Sequence, residues 1–298
     1  MRLAFLIADR RVGKTESREK TMGLTTLRGK QARLAALATL LGIIHLLGGC
    51  STLPNGRGWG EDATYKPGWQ KLRESAARAA KSPYTWAPLA GAAVLQIGDW
   101  DSDVAEWASD NTPVFGSQQS ARDASGVLRD ISAASWLITA LATPSGDSSR
   151  EWFAAKGKGL AVGASASLLT SGITTGLKNW TDRTRPNGNG TDSFPSGHSS
   201  SAAAFSTLAA RNTRFLDVSD NWRTTLDIGY GVIAAGTAWA RVEGGVHYPS
   251  DVLFGMALGH FVAAFINDAF MGLDDPSDGA VAFSMSTQVV SIQFWRRF

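Results

Sequence analysis

The sequence predicts an all-α protein built on a six-helix core bundle, and three observations carry that prediction. Six segments of helical length recur between about residue 86 and residue 270, most of them apolar but studded with Ser, Thr, Gly and Ala. Small residues of this kind let helices approach one another closely. Strand signals are sparse until Val281, where β-branched and aromatic residues gather in the last stretch of the chain. The mean hydropathy of -0.08 points to helices buried against each other rather than to six membrane spans.

Residues 1–49 read as a signal peptide. Arg28, Lys30 and Arg33 precede an uncharged run from Leu34 to Gly49, which closes on Leu47-Gly48-Gly49-Cys50-Ser51. A positive region, an apolar stretch and small residues before a cut are the marks of a secretory signal, and the run is short for a spanning helix. Met22 is the more natural start, since residues 1–21 add charges that a signal does not need. With a cysteine directly after the small pair, the segment resembles the lipobox of a bacterial lipoprotein. That resemblance implies that Cys50 is lipidated and becomes the mature N-terminus. Ser51 at the next position implies an outer-membrane lipoprotein facing the periplasm, within the bacterial cell envelope.

Cys50 is the single cysteine, so neither an internal disulfide nor a cysteine metal cluster can form. The charge is also a property of the leader. Residues 1–49 hold 9 of the 29 Lys and Arg but 3 of the 26 Asp and Glu. Without them the formal charge falls to about −3, which removes the support for a nucleic-acid partner.

Residues 50–68, with Pro54, Gly56, Gly58, Gly60, Pro67 and Gly68, read as a lipid-anchored tether. The catalytic domain is placed at 69–270 and a C-terminal tail at 271–298. Trp69 to Lys81 has helical character and stops at Ser82-Pro83. The six core helices are expected at about 86–98, 127–142, 158–178, 199–211, 225–241 and 251–270. Val281 to Phe298 is expected to form a short β-like strand or hairpin. Trp59, Trp69 and Trp86 fit either a bilayer interface or an ordinary core.

Three stretches cluster the residues that phosphate chemistry needs. Lys178-Asn-Trp-Thr-Asp-Arg-Thr-Arg185-Pro186 ends the third core helix, and Pro195-Ser196-Gly197-His198 opens the fourth. Arg241-Val-Glu-Gly-Gly-Val-His247-Tyr-Pro-Ser-Asp251 joins the fifth to the sixth. A phosphoryl group in transfer spreads negative charge over three oxygens, so a site needs fixed positive donors. Arg185 and Arg241 offer planar two-pronged donors and Lys178 a point charge. Ser196 and Gly197 sit where a helix begins, with amides and the positive dipole end directed at an anion. His198 and His247 can divide attack on phosphorus from protonation of the leaving oxygen. Asp251, four residues after His247, can orient its imidazole. No carboxylate cluster suited to a divalent metal accompanies these groups, so a metal-free and cofactor-free route is the simpler reading.

The ordered pattern Lys-x6-Arg-Pro, Pro-Ser-Gly-His, Arg-x5-His-x3-Asp resembles the signature of the type 2 phosphatidic acid phosphatase and vanadium haloperoxidase superfamily. The resemblance implies a metal-independent phosphatase. His247 is then the nucleophile that forms a phosphohistidine, Asp251 its orienting partner and His198 the general acid. Lys178, Arg185, Ser196, Gly197 and Arg241 bind the phosphate. Joined to the lipid anchor at Cys50, it implies a lipid phosphate or pyrophosphate as substrate at the periplasmic side of a membrane. A broad periplasmic acid phosphatase acting on small phosphate esters is the alternative, and a vanadium haloperoxidase the more remote one. Ala240 departs from the pattern, where the family commonly has Ser before the Arg.

Other polar residues read as structural. His260 is expected to be a packed histidine, Asp182 and Arg183 a solvated or locally paired surface, and Glu243 a residue facing water. The acids of Asp99-Trp100-Asp101-Ser102-Asp103 lack the glycine and distal glutamate of a calcium loop.

Overall fold

The computed structural model describes residues 57–146, 148–272, 281–286 and 289–294. The leader and Cys50 lie outside the described residues. The architecture below is that of the unit Gly49–Phe298, as far as its residues are described.

Eight α-helices occur among the described residues, where six core helices and one flanking helix were expected. They are α1 (Trp69–Lys81), α2 (Pro83–Val94), α3 (Trp100–Asn111), α4 (Gln118–Ala142), α5 (Ser149–Thr181), α6 (Gly197–Thr213), α7 (Asp220–Glu243) and α8 (Pro249–Phe270). The extra helix is α3. Its first turn holds Asp101 and Asp103, which favour the positive end of a helix dipole, so its acids are helix-starting residues rather than a loop.

Most other differences are at N-termini, where capping residues start helices earlier than the apolar pattern does. Ser117 caps α4 by accepting from Ser120 N–H, so the helix starts at Gln118, nine residues before the expected start at 127. Ser148 and Glu151 form a capping box on α5, and Ser219 caps α7 through Trp222 N–H. A serine oxygen satisfies a first-turn amide that the helix itself cannot.

α6 is the central helix and packs against α4, α5, α7 and α8. Ala166, Ala204, Leu208, Val262, Ala263 and Ile266 form the core where α5, α6 and α8 meet, with Trp136 and Phe205 stacked beside them at 5.5 Å. The α6–α8 approach depends on glycine. A Cβ on Gly259 would stand 2.0 Å from the Ser200 carbonyl oxygen, and one on Gly255 2.7 Å from that of Ser196. No side chain fits at either position, so the two backbones touch and the start of α6 is brought against α8.

At the far end of the bundle the incoming chain is clamped by Trp59, which is 2% exposed. Its Nε1–H donates to Asn212 Oδ1 at 3.1 Å, and its main chain bonds Pro144 and Ser145. Lys156 closes this end, donating to the carbonyls of Ala140 and Thr143 and to Thr143 Oγ1, with its ammonium 4.9 Å from the Trp59 ring. Burial pulls its pKa down to about 7, while three acceptors match the three N–H donors of an ammonium group. Trp59 is therefore a core residue, whereas Trp69 and Trp86 are exposed.

α5 and α8 are long and apolar enough to cross a membrane. The apolar stretch of α8 is 61% buried inside the bundle and that of α5 only 22%. Large apolar side chains are exposed on several helices, among them Leu89, Ile131, Leu168, Ile228 and Val232. In the tail, β1 (Val281–Ser286) and β2 (Val289–Phe294) pair antiparallel, with Val281 opposite Phe294.

Candidate active site

The motif residues arrive at one end of the bundle from the C-terminal end of α5, the loop after it, the N-terminus of α6, the C-terminus of α7 and the N-terminus of α8. α5 stops at Asp182, which adopts the left-handed conformation and donates its N–H to the Lys178 carbonyl. α7 stops at Gly244-Gly245. Gly245, at φ 68°, turns the chain so that Val246 N–H returns to the Arg241 carbonyl and His247 follows directly. This turn brings Arg241 and His247 into one site.

His247 is 2% exposed. Its Nδ1 lies 2.7 Å from the carbonyl oxygen of Ser193. A carbonyl only accepts, so Nδ1 carries the proton and Nε2 keeps its lone pair. Asp251 Oδ2 stands 3.7 Å from the same nitrogen, beyond hydrogen-bond range. That carboxylate is held elsewhere: Oδ2 accepts from Ser193 Oγ at 2.5 Å and Tyr248 N–H at 2.9 Å, and Oδ1 from Arg183 at 2.6 Å. The expected His247–Asp251 contact is thus indirect. Burial lowers the pKa of His247, Asp251 opposes the shift, and Arg241 and Lys178 reinforce it. Burial works to raise the pKa of Asp251, but its donors outweigh burial and keep it below the usual range.

Ser196 is the N-cap of α6. It is fully buried, its side chain accepts from Ser199 N–H, and its own N–H donates to the Asp251 carbonyl. Gly197 and His198 form the first turn of α6, where backbone amides precede the intrahelical ladder. His198 Nε2 is 3.5 Å from Arg129 Nη1. Burial, followed by the charges of Arg241, Arg129 and His247, lowers its pKa to about 4.

The three motif cations differ in how they are neutralised. Arg185 is paired with Asp192 through Nε at 2.8 Å and Nη2 at 2.9 Å. Lys178 donates to the main-chain carbonyl of Asp192, and its carboxylate lies 3.9 Å away. Burial lowers the pKa of Lys178. Arg241 is buried, donates to Ser125 Oγ at 3.3 Å, and has no carboxylate within ion-pair distance among the described residues. Its Nε–H is a buried donor without an acceptor there. Burial and the charges of Arg185, Arg122 and Arg129 lower its pKa to about 10. A buried, unneutralised guanidinium among other cations is a site for an anion.

Three neighbours escaped the sequence reading. Arg129 and Arg122 come from α4, where Arg122, Ser125, Arg129 and Ser132 fall on one helical face. That polar stripe was the available signal. Arg183, read as solvated or locally paired, is paired, but with residues distant in sequence: it bonds both Asp251 and Asp101. Glu243 does not face water either. It is fully buried and accepts from the main-chain amides of Val114 and Phe115 and from Trp239 Nε1–H, fixing the α3–α4 connection. His260 is a packed histidine, bonded to Ser82 and Thr207 at 2.8 Å each. Among the described residues no group of three or more His, Cys, Asp and Glu converges.

No curated protein matches the chain. A solved structure described as the first transmembrane PAP2 type phosphatidylglycerolphosphate phosphatase from Bacillus subtilis is 21% identical, with a TM-score of 0.45. The match covers 68% of this chain and 95% of that one. The PAP2 superfamily model matches residues 160–272, a span that contains every motif residue from Lys178 to Asp251. Over this segment the chain is similar to the PAP2 superfamily.

Proposed function

We propose that the protein is a metal-independent phosphatase working through a phosphohistidine on Nε2 of His247. The observation that carries the reading is Arg241, a buried guanidinium with an unsatisfied Nε–H and no carboxylate partner among the described residues, in the same charged cluster as both histidines. An anion with several oxygens completes such a cluster.

Nε2 of His247 attacks phosphorus and the ester P–O bond breaks. His198 gives its proton to the departing oxygen, and Arg241, Arg185 and Lys178, with the first-turn amide of Gly197, hold the equatorial oxygens, while the Ser196 amide is taken by the Asp251 carbonyl and Ser196 only shapes the turn. Water then attacks phosphorus, passing a proton to His198. Inorganic phosphate leaves and His247 is restored. Asp251 favours the transiently positive imidazole by its charge.

A lipid phosphate or pyrophosphate is the favoured substrate. Trp100, Trp107 and Trp180 are exposed on α3 and α5 near the elements that carry the site, and exposed Trp side chains suit a membrane interface. The anchor at Cys50, and with it the periplasmic outer-membrane setting, belongs to the same proposal. One observation favours a soluble phosphate ester instead. The chain enters the domain at Trp59, against Gly159, and Lys178 lies nineteen residues further along α5, about 28 Å at 1.5 Å per residue.

The test is phosphate release by the full chain with EDTA present. p-Nitrophenyl phosphate and a panel of detergent-dispersed lipid phosphates are compared, each with His247→Ala as control. Preference for one lipid is expected; equal turnover of the soluble ester favours the broad acid phosphatase. No release from any substrate sinks the phosphatase reading and leaves vanadate-dependent bromide oxidation to be assayed.

A further inference from the structure

Arg183 bonds Asp251 directly, and Asp101 bonds Arg183. Arg183 Nη1 donates to Asp251 Oδ1 at 2.6 Å and to Ser250 Oγ at 2.9 Å, while Nη2 donates to Asp101 Oδ2 at 2.7 Å. Its guanidinium lies 4.1 Å from the centre of the Tyr248 ring. Asp101, 6% exposed, comes from the first turn of α3, outside the matched family segment. It accepts from Ser250 N–H at 2.8 Å, Ser250 Oγ at 2.5 Å and Gln96 Nε2 at 3.2 Å.

We propose that Arg183 and Asp101 are positioning residues that set the proton affinity of His247 through Asp251. The proposal rests on His247 being the nucleophile. Asp251 makes no short bond to the imidazole, so it acts on His247 mainly through its charge at 3.7 Å. Arg183 offsets that charge, and Asp101 in turn offsets Arg183. The result is a line of alternating sign ending at the nucleophile, in which each removal changes the field at His247 in a defined direction. Other titratable and charged groups act on the imidazole from the elements packed around it: Lys178 on α5, His198 on α6 and Arg241 on α7. None of them contacts Arg183 or Asp101, so they remain constant in the comparison below.

The experiment is the pH dependence of kcat/KM for the full chain on p-nitrophenyl phosphate, whose own ionisation is common to every profile. The acid limb reports the proton that must leave the nucleophile. Arg183→Gln removes a positive charge, raises the proton affinity of His247 and moves that limb to higher pH by about 0.5–1 unit. Asp101→Asn removes a negative charge and moves it to lower pH. The double variant lies near the wild type, since the two changes cancel. Arg183→Lys keeps the charge, leaves the limb in place and lowers kcat, which separates field from geometry and stands in if Arg183→Gln does not fold. A merely structural pair would change thermal stability without moving the limb in opposite directions. Limbs that stay put, or that move together, in folded variants overturn the proposal while leaving the nucleophile reading intact. Activity retained by His247→Ala overturns that reading and the proposal with it.

Discussion

The Ser193 carbonyl oxygen stands 2.7 Å from Nδ1 of His247, whereas Asp251 Oδ2 is 3.7 Å from the same atom. A backbone carbonyl, which cannot be mutated away, therefore fixes the tautomer, and the carboxylate contributes its charge. Where a carboxylate alone holds a catalytic histidine, its amide replacement reverses the tautomer and costs about 10⁴-fold. Asp251→Asn is accordingly expected to lower kcat by only about 10–100-fold, the range of a supporting contact. His247→Ala should abolish turnover. Steady-state rates with a thermal-melt check decide it, and equal losses in the two variants would contradict the geometry.

The low pKa of His198, about 4 in the free site, has a consequence for pH dependence. Burial and the charges of Arg241, Arg129 and His247 cause it. A bound phosphate dianion offsets those charges, so the protonated form gains and the pKa rises in the complex. In the proposed mechanism protonated His198 is the general acid, so activity falls as pH rises through its pKa. The basic limb of kcat should therefore lie at higher pH than that of kcat/KM, the first reporting the complex and the second the free enzyme. Coincident limbs would count against His198 as the acid.

Asp192 pairs with Arg185 and lies near Lys178, two donors that the proposed mechanism assigns to the phosphate. Asp192→Asn is expected to tighten inhibition by inorganic phosphate or vanadate. The gain should be about two- to fivefold, since a half-exposed ion pair is worth no more than about 1 kcal/mol. Inhibition constants measured at constant ionic strength provide the check. Weaker inhibition would mean that Asp192 orients Arg185 rather than competing for it.

Gly259→Ala would place a methyl group 2.0 Å from the Ser200 carbonyl oxygen, a backbone atom that cannot swing aside. The helices must separate, at a cost of about 3 kcal/mol and several degrees in Tm. Gly176→Ala, where nothing lies within 4 Å, should be neutral or slightly stabilising in the same thermal melts. Equal melting temperatures for the two variants would mean that α6 and α8 are not in backbone contact.

Much of this protein was legible in the chain alone. The helical class follows from apolar runs too long for strands and bounded by breakers, and Lys178, Arg185, Ser196, His198, Arg241, His247 and Asp251 were singled out as candidates from residue type and order. Local spacing determines which donors and nucleophiles exist, because their chemistry is intrinsic to the side chains. Only the tertiary structure decided their partners. Asp101 and Arg183 are 82 residues apart and meet because α3 packs beside the start of α8. Arg129 reaches His198 because α4 lies along α6, and Glu243 is buried because two distant amides need an acceptor. Whether an acid or a cation is solvated, paired or left open for a ligand depends on groups that folding brings from elsewhere. That is why candidate site residues could be proposed from the sequence, while the contacts around them could not.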